Sequence, residues 1–369
     1  MKWAWRIGRL AGIDVYVHAT FLILVIWVGA AHFMRRGSWG DAISGLAFIA
    51  ALFAIIVLHE LGHALTARRF GIRTRDITLL PIGGLARLER MPDDPRQELW
   101  VALAGPAVNV ALALLLMVLL LVGGHWADVL SVQFVGGAWL AKLLWVNVAL
   151  AVFNLLPAFP MDGGRVLRAL LALNMDYVRA TQIAANVGQA MALVFGFAGM
   201  LYNPFLLFIA LFVWMGAAYE AEMVAVRAGL SGVPVREAMI TEFHALRPDD
   251  TVQQAVDYIL AGFQHDFPVV EDGRVVGILT RGDVTQTLAR RGPDTPVGEI
   301  MQREFETIDP GDMLERAFEK LAACHCPTVP VVRDGQLVGL LNHENIGEFL
   351  AFHPYTRRRM DQPQPADAV

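Results

Sequence analysis

Residues 59–63 read His59-Glu60-Leu61-Gly62-His63, and they lie inside an apolar run that extends from Ala42 to about Ala67. Side chains four residues apart share one face of a helix, so the two imidazoles can hold one zinc ion while Glu60 reaches the water beside it. The setting is as informative as the spacing. A charge at hydrocarbon depth costs about 2.5–3.5 kcal/mol on insertion scales unless it serves a buried function. This stretch therefore predicts a membrane-embedded helix that carries a metal-binding pair.

The composition around it agrees. The chain has 369 residues, 56% hydrophobic and 18% charged, with a mean hydropathy of +0.47, too apolar for an ordinary soluble enzyme. Long uncharged stretches dominate up to about Ala225, whereas Val233 to Phe352 alternates short apolar runs with charges and glycine turns. Runs long enough to cross a bilayer, about 20 residues each, fall at Val15–Phe33, Ala42–Ala67, Trp100–Val122, Trp139–Leu156, Thr181–Leu201 and Pro204–Val226. The expected fold is a multi-pass α-helical membrane protein with six transmembrane helices, followed by a soluble α/β domain. Lys2, Arg6 and Arg9 precede the first run without a recognisable cleavage site, so that segment reads as a retained anchor. Arginines cluster after the second and fourth runs, at Arg68, Arg69, Arg73 and Arg75 and at Arg165, Arg168 and Arg179, while the opposite side has mainly Arg35 and Arg36. That asymmetry predicts cytoplasmic termini and a His-Glu pair near the cytoplasmic end of its helix.

Between the second and third runs, Ile77–Leu88 holds two short apolar segments around Gly83 and Gly84. It reads as a small β-hairpin, a re-entrant loop or a plain cytoplasmic loop; an exposed strand edge there could pair with an extended peptide. A catalytic zinc needs a third protein ligand. Asp162 is the candidate, in Asn154–Gly164, where Pro157 and Pro160 break the fourth helix and Gly163 and Gly164 free the backbone to turn. Taken alone, Asp162 would be a helix N-cap. Asn154 could donate to a substrate carbonyl or oxyanion, or simply pack between helices. Gly105, Pro106 and Asn109 suit close helix approach, with Asn109 in a structural role. His18 reads as an interfacial side chain.

With these residues in view, the chain resembles the site-2 protease family of intramembrane zinc metalloproteases over about residues 1–225. The resemblance rests on H-E-L-G-H-A-L followed by R-R-F-G-I, on P-I-G-G-L-A, on G-P-x-x-N, and on N-L-L-P-A-F-P-M-D-G-G-R-V-L. Met161 stands where leucine is usual and leaves the ligands intact. The resemblance implies one zinc per chain bound by His59, His63 and Asp162, with Glu60 activating water. It implies as substrate a single-span membrane-tethered regulator or a signal-peptide remnant, cut within or near its transmembrane segment in a bacterial or archaeal inner membrane. Water access calls for a polar cavity open to the cytoplasm beneath a helix pair that parts, the fifth and sixth spans. A transporter and a catalytically inactive scaffold are the alternatives; no inverted repeat favours the first, and the complete set of four side chains disfavours the second.

The C-terminal part contains an internal repeat. V-P-V-R-E-A-M-I at 233–240 is answered by T-P-V-G-E-I-M-Q at 295–302, and the D-G hairpin of 267–284 by that of 329–346. Two copies make a pseudo-symmetric pair rather than a solenoid. The pattern resembles a tandem cystathionine-β-synthase (CBS) pair, a module that often binds adenosine nucleotides and associates face to face. The resemblance implies ribose and phosphate contacts at Gly277, Thr280 and Asp283, with AMP, ADP or ATP as regulatory ligand and a homodimer through the CBS domains. In the second copy Gly339 remains, but Asn342 and Asn345 replace the Thr and Asp. A docking module without ligand is the competing reading. The expected boundaries are 1–228 for the protease domain, 229–292 and 293–353 for the repeats, and 354–369 for a disordered tail. Cys324 and Cys326, the two cysteines, are poorly spaced for bridging in a regular strand or helix and suit a reduced compartment. A net charge of -5 argues against nucleic acid as a partner.

Overall fold

Strand alternation, not a membrane span, opens the chain. In the computed structural model, which describes residues 3–36, 39–81, 83–90, 92, 94–130, 139–262, 264–324 and 326–360, Ala4–Leu10 (β1) and Ile13–His18 (β2) form an antiparallel hairpin. Its turn uses positive φ at Ala11 (50°) and Gly12 (89°). Ile13 and Val15 are buried and alternate with Asp14 and Tyr16, the period of a strand with one covered face. Asp14 pairs with Arg6 at 2.9 Å across the hairpin. β2 runs parallel to Thr74–Leu80 (β3), which pairs antiparallel with Gly83–Leu88 (β4), completing a four-stranded sheet in the order β1-β2-β3-β4. Of the alternatives for residues 77–88, the hairpin is the one formed.

The chain divides into two units, Met1–Val224 and Ala225–Val369. The helices of the first are Phe21–Arg36 (α1), Trp39–Arg69 (α2), Pro95–Val122 (α3), Trp126–Leu130 (α4), Trp139–Asn154 (α5), Asp162–Ala172 (α6) and Tyr177–Leu201 (α7), with most of Phe205–Leu230 (α8). Among the described residues, four helical stretches are long and apolar enough to cross a membrane: Ala42–Arg69 in α2, then α3, α7 and α8. The first and fourth expected spans come out short. α1 and α5 have 16 residues each, about 24 Å of helix against about 30 Å of hydrocarbon. The physical reasons differ. β2 takes Val15–His18 away from the first run, and α5 stops at Asn154 ahead of Pro157 and Pro160.

Glycines let these elements approach closely. A Cβ on Gly62 of α2 would lie 2.8 Å from the Ala104 carbonyl of α3. One on Gly163 would run into the carbonyls of Leu155 and Leu156, and one on Gly164 into the backbone of Ala158 and Phe159. The 155–161 turn is thereby pressed against the start of α6. Its Ala158, Phe159 and Met161 are buried among Ala184, Ala185 and Ala192 of α7 and Val213 and Ala217 of α8.

The second unit repeats one motif. Val252–Ala261 (α9), Phe267–Glu271 (β5), Arg274–Leu279 (β6) and Arg281–Arg290 (α10) are matched by Leu314–Cys324 (α11), Thr328–Arg333 (β7), Gln336–Asn342 (β8) and His343–Met360 (α12). Both hairpins turn at Asp-Gly with positive φ, 49° and 78° at Asp272 and Gly273, 52° and 82° at Asp334 and Gly335, as tight two-residue turns require. Both carry a register shift at the same place, Val269/Val270 and Val331/Val332. The copies exchange bridges, Ile240 with Leu340 and Ile278 with Gln302. Leu230 and Val226, at the end of α8, pack in the core of the second copy with Leu314, Leu321 and Leu341.

Two expectations are corrected here. α12 continues to Met360, past residue 354 where a disordered tail was expected; residues 361–369 lie outside the described residues. Cys324 and Cys326 are joined as a disulfide. Their Cα atoms are 5.1 Å apart, within the usual range, because α11 ends at Cys324 and Cys326 lies beyond it. We expect Gly163→Ala to destabilise the first unit by about 1–3 kcal/mol, the usual cost of overpacking; an unchanged thermal unfolding midpoint in detergent would contradict the packing described for the turn.

Candidate metal centre

Helical periodicity brings the imidazoles of His59 and His63 onto one face of α2, and the turn after α5 delivers Asp162 to them. The three ligand atoms form a nearly equilateral triangle. His59 Nε2 and His63 Nε2 are 3.2 Å apart, and Asp162 Oδ2 is 3.2 Å from each. Bonds of about 2.0–2.1 Å in a tetrahedral zinc site separate ligand atoms by about 3.3 Å. The residues therefore fit a zinc ion, and all three are buried.

Their surroundings differ. His63 Nδ1 lies 2.7 Å from the Val101 carbonyl of α3; donation there leaves Nε2 with its lone pair directed at the triangle. His59 Nδ1 is buried without a hydrogen-bond partner. Gly105 backs both rings, since a Cβ there would collide with Nε2 of His63 and of His59. Asp162 is the first residue of α6, and the N-cap position belongs to Met161, which makes no capping bond. The carboxylate thus faces the imidazoles rather than capping its helix.

Glu60 points the other way around the helix, toward the sheet. Its Oε2 accepts the Ala86 N–H of β4 at 3.1 Å, and a Cβ on Gly84 would sit 2.9 Å from Glu60 Cγ. β4 is an end strand of the sheet, so this N–H belongs to its unpaired edge. Asn154 ends α5 and is half-buried. Asn109 is fully buried in α3, one turn beyond Gly105, with neither amide atom partnered. His18 ends β2 and bonds Thr20 Oγ1 at 2.9 Å, away from the triangle. Sequence reading did not single out Val101, Ala86 or Glu98. The first two act through backbone atoms, which no side-chain pattern reveals; a glutamate at the mouth of an apolar run was the available signal for the third.

In the second unit, Thr280 and Asp283 come together as a capping box at the start of α10. Asp283 Oδ2 accepts from Thr280 N–H (3.1 Å), Thr280 Oγ1 (2.6 Å) and Gln302 Nε2 (3.0 Å). Gly277 lies under Met301, whose Sδ would be 2.6 Å from a Cβ there. A cavity of about 1020 Å³ lies elsewhere in this unit, lined by His244, Tyr258, Asp266, Thr328, Asn342 and Asn345 among others. The rings of His244 and Tyr258 stack with centroids 4.3 Å apart.

Two histidines and an aspartate converging between apolar helices, with a glutamate beside them, define a metallopeptidase built into a membrane domain. The model of peptidase family M50 matches residues 47–135 and 131–195, and the CBS domain model matches residues 235–290 and 297–351. Zinc metalloprotease MJ0392 of Methanocaldococcus jannaschii is 31% identical over 348 residues, covering 94% of this chain and 96% of that one. CBS domain-containing protein YhcV of Bacillus subtilis is 31% identical over 109 residues, 29% of this chain and 78% of that one. The solved site-2 protease from Methanocaldococcus jannaschii is 36% identical, covering 59% of this chain and 95% of that chain, with a TM-score of 0.44. The chain belongs to peptidase family M50, the zinc metalloproteases of site-2 protease type, and carries a tandem CBS pair. Gly105→Ala is expected to push both imidazoles aside and weaken zinc binding at least tenfold, the lower end of what displaced ligand support costs; wild-type affinity by chelator competition would contradict the contact.

Proposed function

We propose that His59, His63 and Asp162 hold one zinc per chain and that Glu60 is the general base in hydrolysis of peptide bonds within or near transmembrane segments. The observation that carries this reading is the 3.2 Å triangle of Nε2, Nε2 and Oδ2 atoms. Zinc bound there would supply Lewis acidity, polarising the scissile carbonyl and acidifying water. Glu60 would accept a proton at its carboxylate from a water molecule and pass it to the departing amine. The Asn154 amide donates to the oxygen that gains charge. The outer edge of β4 pairs with the substrate backbone and keeps it extended; support for this is the place of β4 at the end of the sheet. Asn109 serves the packing of α3.

The substrate we propose is a single-span regulator or signal-peptide remnant. The bilayer is that of a bacterial or archaeal inner membrane, with six membrane-embedded segments when α1 and α5 are counted and with cytoplasmic termini. Water reaches the site from the cytoplasm through a polar opening when the last two spans part. The functional domains are 1–228, 229–292 and 293–353. We further propose that an adenine nucleotide modulates cleavage through the CBS pair, contacted at Gly277, Thr280 and Asp283, and that CBS pairs associate into a homodimer. Regulation requires the nucleotide to bind two conformational states differently.

Glu60→Gln should retain one zinc per chain and lower kcat for a transmembrane model substrate by about 100- to 10,000-fold; turnover near the wild-type rate would remove Glu60 from its role. Titration of the full-length protein with AMP, ADP and ATP tests the nucleotide. Asp283→Ala should weaken whichever binds. Weakening in Asn345→Ala alone would move the ligand to the cavity beside His244, and no heat with any of the three would refute nucleotide binding.

A further inference from the structure

Arg168 carries a guanidinium that is fully buried, 0% exposed, in a unit otherwise dominated by apolar side chains. It is six residues beyond Asp162 on the 11-residue α6. Its Nε donates to Glu98 Oε1 at 2.9 Å, and its Nη1 donates to Glu220 Oε1 at 2.6 Å. The guanidinium lies 5.0 Å from the ring centroids of Phe159 and of Tyr177. One planar cation is therefore gripped by the first turn of α3, the turn preceding Asp162, the first residue of α7, and α8.

Such a cluster is a poor device for stability alone, because apolar residues of similar volume would stabilise a buried site at least as well. It is a good device for registration. Arginine's rigid fork fixes direction as well as distance, and Glu98 is one helical turn before Val101. The same segment of α3 thus holds His63 through the Val101 carbonyl and holds α6 through Arg168. Gly105, one turn further on, backs both imidazoles. α3 becomes the common rule against which histidines from α2 and the aspartate of α6 are aligned.

We propose that Arg168, anchored by Glu98 and Glu220, is the positioning residue for Asp162. This rests on the reading of Asp162 as a metal ligand. Arg168 touches neither metal nor substrate; it acts by setting where α6 begins. A lysine keeps the charge but loses the fork, and Glu98→Gln keeps an acceptor but loses the charge.

The test measures zinc affinity by chelator competition on the full-length protein in detergent, together with cleavage at saturating zinc. Arg168→Lys and Glu98→Gln should each weaken zinc about 10- to 100-fold, as loss of ligand-orienting partners does. With the metal restored in excess, kcat should stay reduced while KM stays near the wild-type value. If both variants bind zinc within twofold of wild type while only the unfolding midpoint falls, Arg168 is a packing residue and the proposal is overturned. Should Arg168→Lys fail to fold, Glu98→Gln decides by the same readout. Asp162→Ala separates the two levels: unchanged zinc affinity there overturns the metal reading itself, whereas zinc lost there but kept in the other two overturns only the positioning role.

Discussion

Holding a carboxylate 3.2 Å from two imidazoles between apolar helices is the constraint to which the first unit is shaped. Polar groups removed from water need partners whose geometry is fixed, since each unmet donor or acceptor costs about 1–3 kcal/mol. At His63 the partner is a backbone carbonyl, that of Val101, and glycines let the backbones come this close. Gly62 lets α2 and α3 touch, Gly105 gives the rings room, and Gly163 and Gly164 fold the 155–161 turn onto α6. An alanine at any of these places would displace either a side chain of the triangle or a helix that presents one.

The sheet serves the same constraint from the opposite side. Glu60 is held on the sheet side of α2, where its carboxylate accepts the Ala86 N–H on the outer edge of β4. An edge strand in an apolar setting is ordinarily a liability, because its unpaired groups invite another strand. For the substrate proposed above, an extended transmembrane segment, the same property is useful. The edge presents main-chain donors and acceptors independent of side-chain identity, beside the Glu60 carboxylate.

Most of this site was legible because its spacing is local. His59 and His63 declare themselves through the helix period, and Asp162 through two prolines and two glycines in an apolar run. What escaped was whatever local pattern cannot encode. The hydropathy run merged Val15–His18 with the helix that follows, although the alternation of Ile13, Val15 and Val17 with Asp14, Tyr16 and His18 marks a strand. Arg168 looked like one more cytoplasmic arginine used to orient the chain. Its counter-ions are 70 and 52 residues away, and only folding reveals that it is buried between them.

The CBS repeats show the converse, a pattern legible as ligand chemistry that the fold also requires for itself. Gly277 and Gly339 both sit beneath a methionine sulfur, Met301 at 2.6 Å and Met239 at 2.8 Å from a Cβ placed there. Thr280 caps α10 by accepting from the Asp283 N–H, and in the second copy Asn342 Oδ1 accepts from Asn345 N–H at 2.8 Å. Replacing Thr and Asp by two asparagines therefore keeps the helix cap, for which both residue types are suited. The copies differ in what remains. Asp283 spends one oxygen on three donors, whereas Asn345 Oδ1 is buried without a partner in a residue lining the large cavity. Helix capping thus accounts for the shared part of the motif, and what distinguishes the copies at these positions is a satisfied carboxylate in one and an unsatisfied amide in the other.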